Sequence, residues 1–423
     1  MGIKIAVIGA GSTYTPELME GLLERRDSLD LEEVSFYDID PKRLNILYDF
    51  SLRMIAATGF NLRLTKSMDL RKSVSGADFI INQIRVARQE GRIFDEKLGI
   101  HNGIIGQETT GVGGFSKAMR TIPVVLNQCR IYERYSPNAM LINFTNPSGI
   151  ITEAVLRNTP IRCIGLCNIP INLRMDIAHY LKADPEEIQL DYIGLNHLGW
   201  VRSIKIGKHT YSLDNLKRTI SKFSPKNIPD MDYPEELLAS LGAFPGYYLR
   251  YFYLNRAMVR KLKSSRYTRG EEVLELEKRL LKMYQDKRLN EKPELLSRRG
   301  GAYYSKVATS IIDSIVNDRR NVEVVNIASS KTVEGFESEE VLEMPAIIGR
   351  KGAKPLQNRV DNLHMFSLMR MIKGYERLTI EAAVERSFEK AVLALITNPL
   401  VMDAELAIGL VRSIDKRYKL GLK

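Results

Sequence analysis

The stretch Ile3-Lys-Ile-Ala-Val-Ile-Gly9-Ala-Gly11-Ser12-Thr13-Tyr14-Thr-Pro16 reads as a compact apolar strand running into a glycine turn. Pro16 then opens an amphipathic helix with Leu18, Leu22 and Leu23 on one side. Glycines at a strand-to-helix turn let the backbone approach a pyrophosphate, and the helix N-terminus favours its negative charge. A second strand, Val34 to Tyr37, ends at Asp38, where an acid can bind the adenosine ribose hydroxyls. Gly9, Gly11, Ser12, Thr13 and Asp38 are therefore candidate NAD-binding residues. Tyr14 stands where the fingerprint's third glycine would be, so the match is to a Gly-x-Gly turn answered by an acid.

Working outward, the alternation of strand and helix continues to residue 166. Strands are expected at Leu62–Thr65, Phe79–Gln83, Met140–Phe144 and Arg162–Leu166, with a long helix near 115–135 that Pro123 can kink. Ligands of open parallel sheets gather at the C-terminal strand ends. Gln83, Arg85, Asn143, Asn146 and Cys167 all fall there, and Asn143 joins the cofactor candidates. Beyond Pro170 the pattern changes. A helix is expected over 171–181 and strands over 192–197 and 201–206. Mainly helical sequence follows after Asp214, with amphipathic stretches near 235–262, 269–285, 301–317 and 375–395, strand-like runs at 322–327 and 341–348, and a last helix near 402–417. The expected fold class is α/β. An N-terminal Rossmann-like dinucleotide-binding domain, residues 1–165, is tightly joined to an α+β, mainly helical catalytic domain, residues 166–423.

The 423 residues carry 62 Lys and Arg against 51 Asp and Glu, a formal charge of +11. The basic residues are interleaved with acids along the chain, without zinc-finger spacing, an RNA-binding signature or a basic arm, which argues against a nucleic-acid partner. The excess suits an anionic small substrate, or simply solubility. No apolar run reaches the length that spans a bilayer, so no membrane partner is expected. Cys129, Cys163 and Cys167 are odd in number and lack a secreted-domain pattern, which fits a reducing cytoplasm.

Cys167-Asn-Ile-Pro170 and Gly194-Leu-Asn-His197 supply a thiol and an imidazole, both metal-ligating types. A closed structural site takes four ligands, and on spacing alone a buried cysteine and a core histidine are the plainer account. Several further strings occur in fixed order with these: Gly9-Ala-Gly-Ser-Thr-Tyr-Thr-Pro-Glu17, Ile105-Gly-Gln-Glu-Thr-Thr-Gly-Val-Gly-Gly114, Asn143-Phe-Thr-Asn-Pro147, Tyr248-Leu-Arg-Tyr251 and Tyr375-Glu-Arg-Leu-Thr-Ile-Glu-Ala382. Over nearly its whole length the chain closely resembles the NAD- and metal-dependent glycosidases of glycoside hydrolase family four. Cys-Asn-x-Pro resembles the 6-phospho-β-glucosidase group, whereas the α-acting phosphoglycosidases carry Asp at the second position.

The resemblance implies hydrolysis of a phosphorylated disaccharide or β-glucoside without the usual pair of catalytic carboxylates. NAD+ oxidises carbon 3, a base removes the proton from carbon 2, the aglycone leaves carbon 1, water adds, and NADH returns the hydride. Cys167 and His197 would hold a divalent metal, manganese(II) first among candidates. Tyr248 matches the base, and Glu108 a position that raises its basicity. Asn168 stands where the α-acting group has its acid, and an amide donates no such proton. Arg92, Asn146 and Arg269 match substrate-contacting positions; Arg85 is a further candidate there, with a structural or cofactor-facing role as its alternative. A homodimer or homotetramer is implied as well.

Two stretches depart from the family pattern. Val86-Ala87-Arg88 follows Arg85 where relatives usually carry a glycine pair, and Ile327-Ala-Ser-Ser-Lys331 stands where relatives often show an Arg-Asn-Asn-Gly-type loop. Both bear on sugar and aglycone preference more than on the chemistry. The competing enzyme is a lactate- or malate-dehydrogenase-like oxidoreductase, which would use His197 with an acid and needs no metal cysteine. A dinucleotide-sensing regulator would leave Cys167, His197 and Tyr248 without a task.

Overall fold

The first strand, β1 (Ile3–Ile8), lies inside a parallel sheet, between β2 (Leu31–Tyr37) and β4 (Phe79–Asn82), with Ile5 opposite both Val34 and Phe79. Strands covered on both faces need near-continuous apolar runs, and Ile5–Ile8 and Phe79–Ile81 supply them, all of them buried. With β3 (Arg63–Ser67), β5 (Met140–Asn143) and β6 (Arg162–Gly165) the parallel order is β3-β2-β1-β4-β5-β6, the doubly wound dinucleotide-binding order. The connecting helices are α1 (Thr15–Glu24), α2 (Arg26–Leu29), α3 (Pro41–Thr58), α4 (Leu70–Val74), α5 (Arg88–His101), α6 (Gly111–Tyr135) and α7 (Ser148–Asn158). The computed structural model describes residues 2–212, 228–300 and 303–423.

The sheet continues past β6. An antiparallel pair, β11 (Asn321–Ala328) and β12 (Val341–Gly349), joins it where Asn326 lies opposite Gly165, and β12 in turn meets β7 (Ile188–Leu195) where Glu343 lies opposite Gly194. β8 (Leu198–Ile206), β9 (His209–Ser212), β10 (Phe244–Pro245) and β13 (Gly352–Pro355) complete one 13-stranded sheet. The helices of this part are α8 (Asn168–Leu181), α9 (Glu235–Leu241), α10 (Arg250–Tyr253), α11 (Asn255–Ser264), α12 (Arg269–Tyr284), α13 (Tyr304–Val316), α14 (Leu363–Glu385), α15 (Phe388–Thr397) and α16 (Ala404–Tyr418). They interlock with the N-terminal part. Arg53 of α3 donates to the Tyr284 and Leu289 carbonyls at 2.6 and 2.9 Å, and Lys292 pairs with Glu17 of α1 at 2.7 Å. No helix among the described residues is long and apolar enough to cross a membrane.

Three expectations need correction, and one helix is additional. The stretch 235–262 is not one helix: Gly242, at φ +62°, ends α9, and a short strand and a 3-10 turn, Tyr247–Leu249, intervene before α10 and α11. The stretch 375–395 lies in two helices, parted at Arg386 (φ +58°), with the Ser387 hydroxyl capping α15. Helix α5 was not anticipated from its residues, because Ala87 and Arg88 enter it at φ +63° and +51° with no capping side chain. The strand expected over 192–197 begins at Ile188 and ends at Leu195, leaving His197 in the β7–β8 turn at φ +67°. The start of the helix expected over 301–317, and the sequence just after Asp214, fall in part outside the described residues.

Candidate active site

The glycine turn leaves β1 at Gly9, whose φ of +88° suits a residue without Cβ. The Gly11 amide donates to the Asp38 carboxylate at 2.8 Å, and a Cβ on Gly11 would come within 2.8 Å of that same group. The Asp40 amide donates to the other Asp38 oxygen at 2.9 Å. Asp38 is thus fixed beside the turn at the end of β2. Both line a cavity of about 560 Å³ that runs from Tyr37, Asp38 and Arg43 to His197 and Tyr248. A turn that only glycine fits, an anchored acid and a helix N-terminus together suit a dinucleotide.

The expected residues divide cleanly by position. Gly9, Gly11, Ser12, Asp38, Arg85, Arg92, Glu108, Asn146, Asn168, His197 and Tyr248 all line this cavity. Thr13 and Asn143 do not: both are fully buried, the Thr13 carbonyl accepting from the Tyr284 hydroxyl at 2.9 Å and Asn143 bonding both backbone groups of Thr145. Arg269 is not among the lining residues either. Its guanidinium reaches Glu272 and the carbonyls of Arg298 and Arg299, so it braces the segment from which Arg299 enters the cavity.

At the far end the Tyr248 ring stacks on His197, centroids 3.9 Å apart and planes 13° from parallel. Burial pulls the His197 imidazole down to about 3, with Lys117 adding to the effect and Glu108 opposing it, so the ring is neutral and can ligate. Its Nδ1 is buried without a partner among the described residues. Cys167, the N-cap of α8, is 3% exposed and accepts from the Ile169 amide at 3.4 Å. It does not line the large cavity, although its neighbour Asn168 does. Burial, and next the Glu343 carboxylate, push its thiol well up. Among the described residues no three His, Cys, Asp or Glu side chains cluster to enclose a metal. A thiol, and a neutral imidazole that has an orphaned nitrogen and lines the cavity, fit an ion that keeps coordination positions open for substrate.

Burial also raises the Tyr248 phenol, and Cys167 and Glu108 add to it, while Arg92 and a bond with Thr109 act the other way. Glu108 sits among three cations: Arg92 at 2.9 Å, Arg85, and Lys117. Burial alone would raise its carboxyl, but those charges hold it well below the usual range. Lys117 was missed in the sequence. It projects from α6 just beyond the Gly113-Gly114 pair, and burial, followed by Arg85 and Arg120, draws its ammonium down to about 7. Glu277 and Arg299 were missed as well. They pair at 3.0 Å, and Arg43 reaches the same carboxylate at 3.2 Å. Burial works against ionisation of Glu277, yet Arg299 and Arg43 hold it at about 2.

Comparison with known proteins bears on this arrangement. Residues 4–183 match the profile of family 4 glycosyl hydrolase, and residues 192–401 that of the family 4 glycosyl hydrolase C-terminal domain. The chain is 37% identical over 421 residues to a 6-phospho-β-glucosidase of Escherichia coli (strain K12), covering 96% of this chain and 93% of that one. A solved 6-phospho-β-glucosidase from Thermotoga maritima, with NAD and glucose 6-phosphate, superposes with a TM-score of 0.92 at 36% identity over the full length of both chains. A second structure of it, with manganese, NAD+ and glucose 6-phosphate, gives 0.91 at 34%, again over both full lengths. A doubly wound sheet, the Gly-x-Gly turn answered by Asp38, the Cys167 and His197 pair and these matches lead to one assignment: the chain belongs to glycosyl hydrolase family 4.

Proposed function

We propose that this chain hydrolyses 6-phospho-β-glucosides with NAD+ and a divalent cation, manganese(II) first among candidates. The observation that carries the proposal is the stack of Tyr248 on His197 in the cavity whose other end is the Asp38-anchored glycine turn. Gly9, Gly11, Ser12 and Asp38 hold the dinucleotide, with Thr13 and Asn143 shaping the wall behind them. Cys167 and His197 hold the cation. When bound, the dinucleotide supplies reversible oxidation at carbon 3 and the cation supplies Lewis-acid charge at the neighbouring sugar oxygens.

Tyr248 takes the proton from carbon 2. A free phenol titrates near 10, so the positive charge around it decides whether it serves. Arg92 stabilises the phenolate, and Glu108 keeps it basic. Arg85, Arg92 and Lys117 outnumber Glu108 in this wall, which suits a phosphorylated sugar. Asn146 offers a buried Oδ1 with no protein partner among the described residues, ready to accept from a sugar hydroxyl. Arg269 contributes through Arg299, the residue it braces. Asn168 carries an amide and supplies no proton, so the aglycone takes its proton from water. Residues 1–165 serve as the cofactor half and 166–423 as the metal and substrate half. The chain acts as a homodimer or homotetramer in the reducing cytoplasm, where Cys167 stays reduced and ligates as the thiolate.

The test is hydrolysis of p-nitrophenyl β-glucoside 6-phosphate with NAD+, Mn2+ and a thiol reductant, each omitted in turn. Turnover is expected to need all three and to leave no net NADH. Full activity after both NAD+ and metal are stripped would overturn the reading, and steady accumulation of NADH would favour a dehydrogenase instead.

A further inference from the structure

Glu343 is the third residue of β12, fully buried, between the buried residues Leu342 and Met344. A buried carboxylate is costly unless its oxygens are hydrogen-bonded, and these are. The Tyr192 hydroxyl donates to it at 2.7 Å, and the Asn196 and Asn326 amides donate at 3.1 Å each. After burial, the Glu343 carboxylate is the next cause that pushes the Cys167 thiol up. Among the described residues no Lys or Arg forms an ion pair with Glu343, whereas the other wholly buried glutamates, Glu153 and Glu340, each have one. Ion pairing therefore does not account for an acid at this place.

One of its bonds, that from Asn196, lies at a place that carries a metal-ligating group. That place is the β7–β8 turn, where Asn196 immediately precedes His197. That turn holds His197 at φ +67°, a conformation that persists only when the surroundings fix it. With Nδ1 unpartnered, the ring has no bond from that nitrogen to orient it. We infer that Glu343 is a positioning residue for the metal site: through Asn196 it fixes the turn that presents His197 to the cation it would share with Cys167. The inference rests on the reading of Cys167 and His197 as metal ligands. Groups that orient metal ligands in this way typically carry about 10–100-fold in affinity.

The experiment is titration of the full-length protein with Mn2+ in a thiol reductant, following the electron paramagnetic resonance signal of the free aqua ion. NAD+ affinity and melting temperature are measured on the same samples. Wild type is expected to bind the ion and Cys167→Ser to lose it. Glu343→Gln and Asn196→Ala are each expected to bind about 10–100-fold more weakly while NAD+ affinity is retained. Wild-type Mn2+ affinity in both variants overturns the inference, and so does an equal loss of NAD+ and Mn2+ affinity, which would mark general damage. Should Glu343→Gln fail to fold, Asn196→Ala decides alone, since Asn196 is only half-buried and its loss leaves the carboxylate in place. A Cys167→Ser variant that still binds Mn2+ normally would sink the metal reading itself, a separate outcome.

Discussion

Tyr248 shows how far one side chain depends on its neighbours. Burial, Cys167 and Glu108 all favour the protonated phenol, and Arg92 is the charge that opposes them. Tyr248→Phe is expected to lower kcat by about 10²–10⁴, the usual worth of a positioned general base. NAD+ and Mn2+ affinities should hold, because phenylalanine keeps the stack on His197. A variant retaining more than about a tenth of wild-type kcat would remove Tyr248 from the role. Chemistry of this kind was legible only in part. Cys167, His197 and Tyr248 are ordinary residues until the surrounding strings are recognised. Glu277 and Glu343 had a signal of another sort. Glu277 interrupts the apolar stripe Val273, Leu276, Leu280 and Tyr284 on α12, and Glu343 interrupts the apolar run of β12. A charge on a face destined for the interior needs partners, and that need is legible in the residue pattern alone. Which partners meet it is not, because Asn196, Asn326 and Tyr192 come from distant parts of the chain.

At the scale of elements, the string Tyr375-Glu376 belongs to a clamp between α7, β12 and α14. Lys373 is wholly buried and donates to Glu153 at 2.8 Å and to the Val341 carbonyl at 2.7 Å, while Glu376 lies on its other side. One ammonium serves two carboxylates, and they diverge. Against the cost of burial Lys373 holds Glu153 below its ordinary value, whereas burial, joined by Glu153 and Glu340, lifts Glu376 from 4.5 to about 7. A carboxyl raised on folding contributes stability that is complete below its unfolded value and lost as pH rises through its folded one. Glu376→Gln is therefore expected to flatten a decline in stability between about pH 4.5 and 7, seen in urea midpoints across that window. Lys373→Met strands Glu153 and should cost about 3–5 kcal/mol near pH 7; a loss under about 1 kcal/mol would mean that the clamp is not what joins these elements. The elements themselves were mostly legible, since β1 to β6 follow apolar runs set by burial on both faces. Misreadings came where backbone geometry, not periodicity, decides. Ala87 and Arg88 begin α5 in left-handed conformations usually left to glycine, and Gly242 and Arg386 cut amphipathic stretches that read as continuous.

For the molecule as a whole, the sequence suggested two parts meeting near residue 165, and the sheet runs straight across that point. The junction strands β6 and β11 touch through a single residue pair, Asn326 with Gly165, so the sheet alone is a thin connection. Helices and side chains supply the rest. Tyr284 of α12 stacks on Phe50 of α3 at 4.7 Å and bonds the Thr13 carbonyl, and Glu277 binds Arg43. These contacts bury C-terminal groups directly behind the glycine turn. Neither part can unfold without stripping apolar and charged partners from the other, so calorimetry should show one transition and not two. NAD+ saturating its site at about 100 times Kd adds about 2.7 kcal/mol to the folded state, and in a single cooperative unit that increment must move the whole endotherm. Two resolved transitions, only one of them shifted by NAD+, would show that the halves fold independently. In that case the cavity between the Asp38 turn and the Tyr248–His197 stack would be an interface between two folding units.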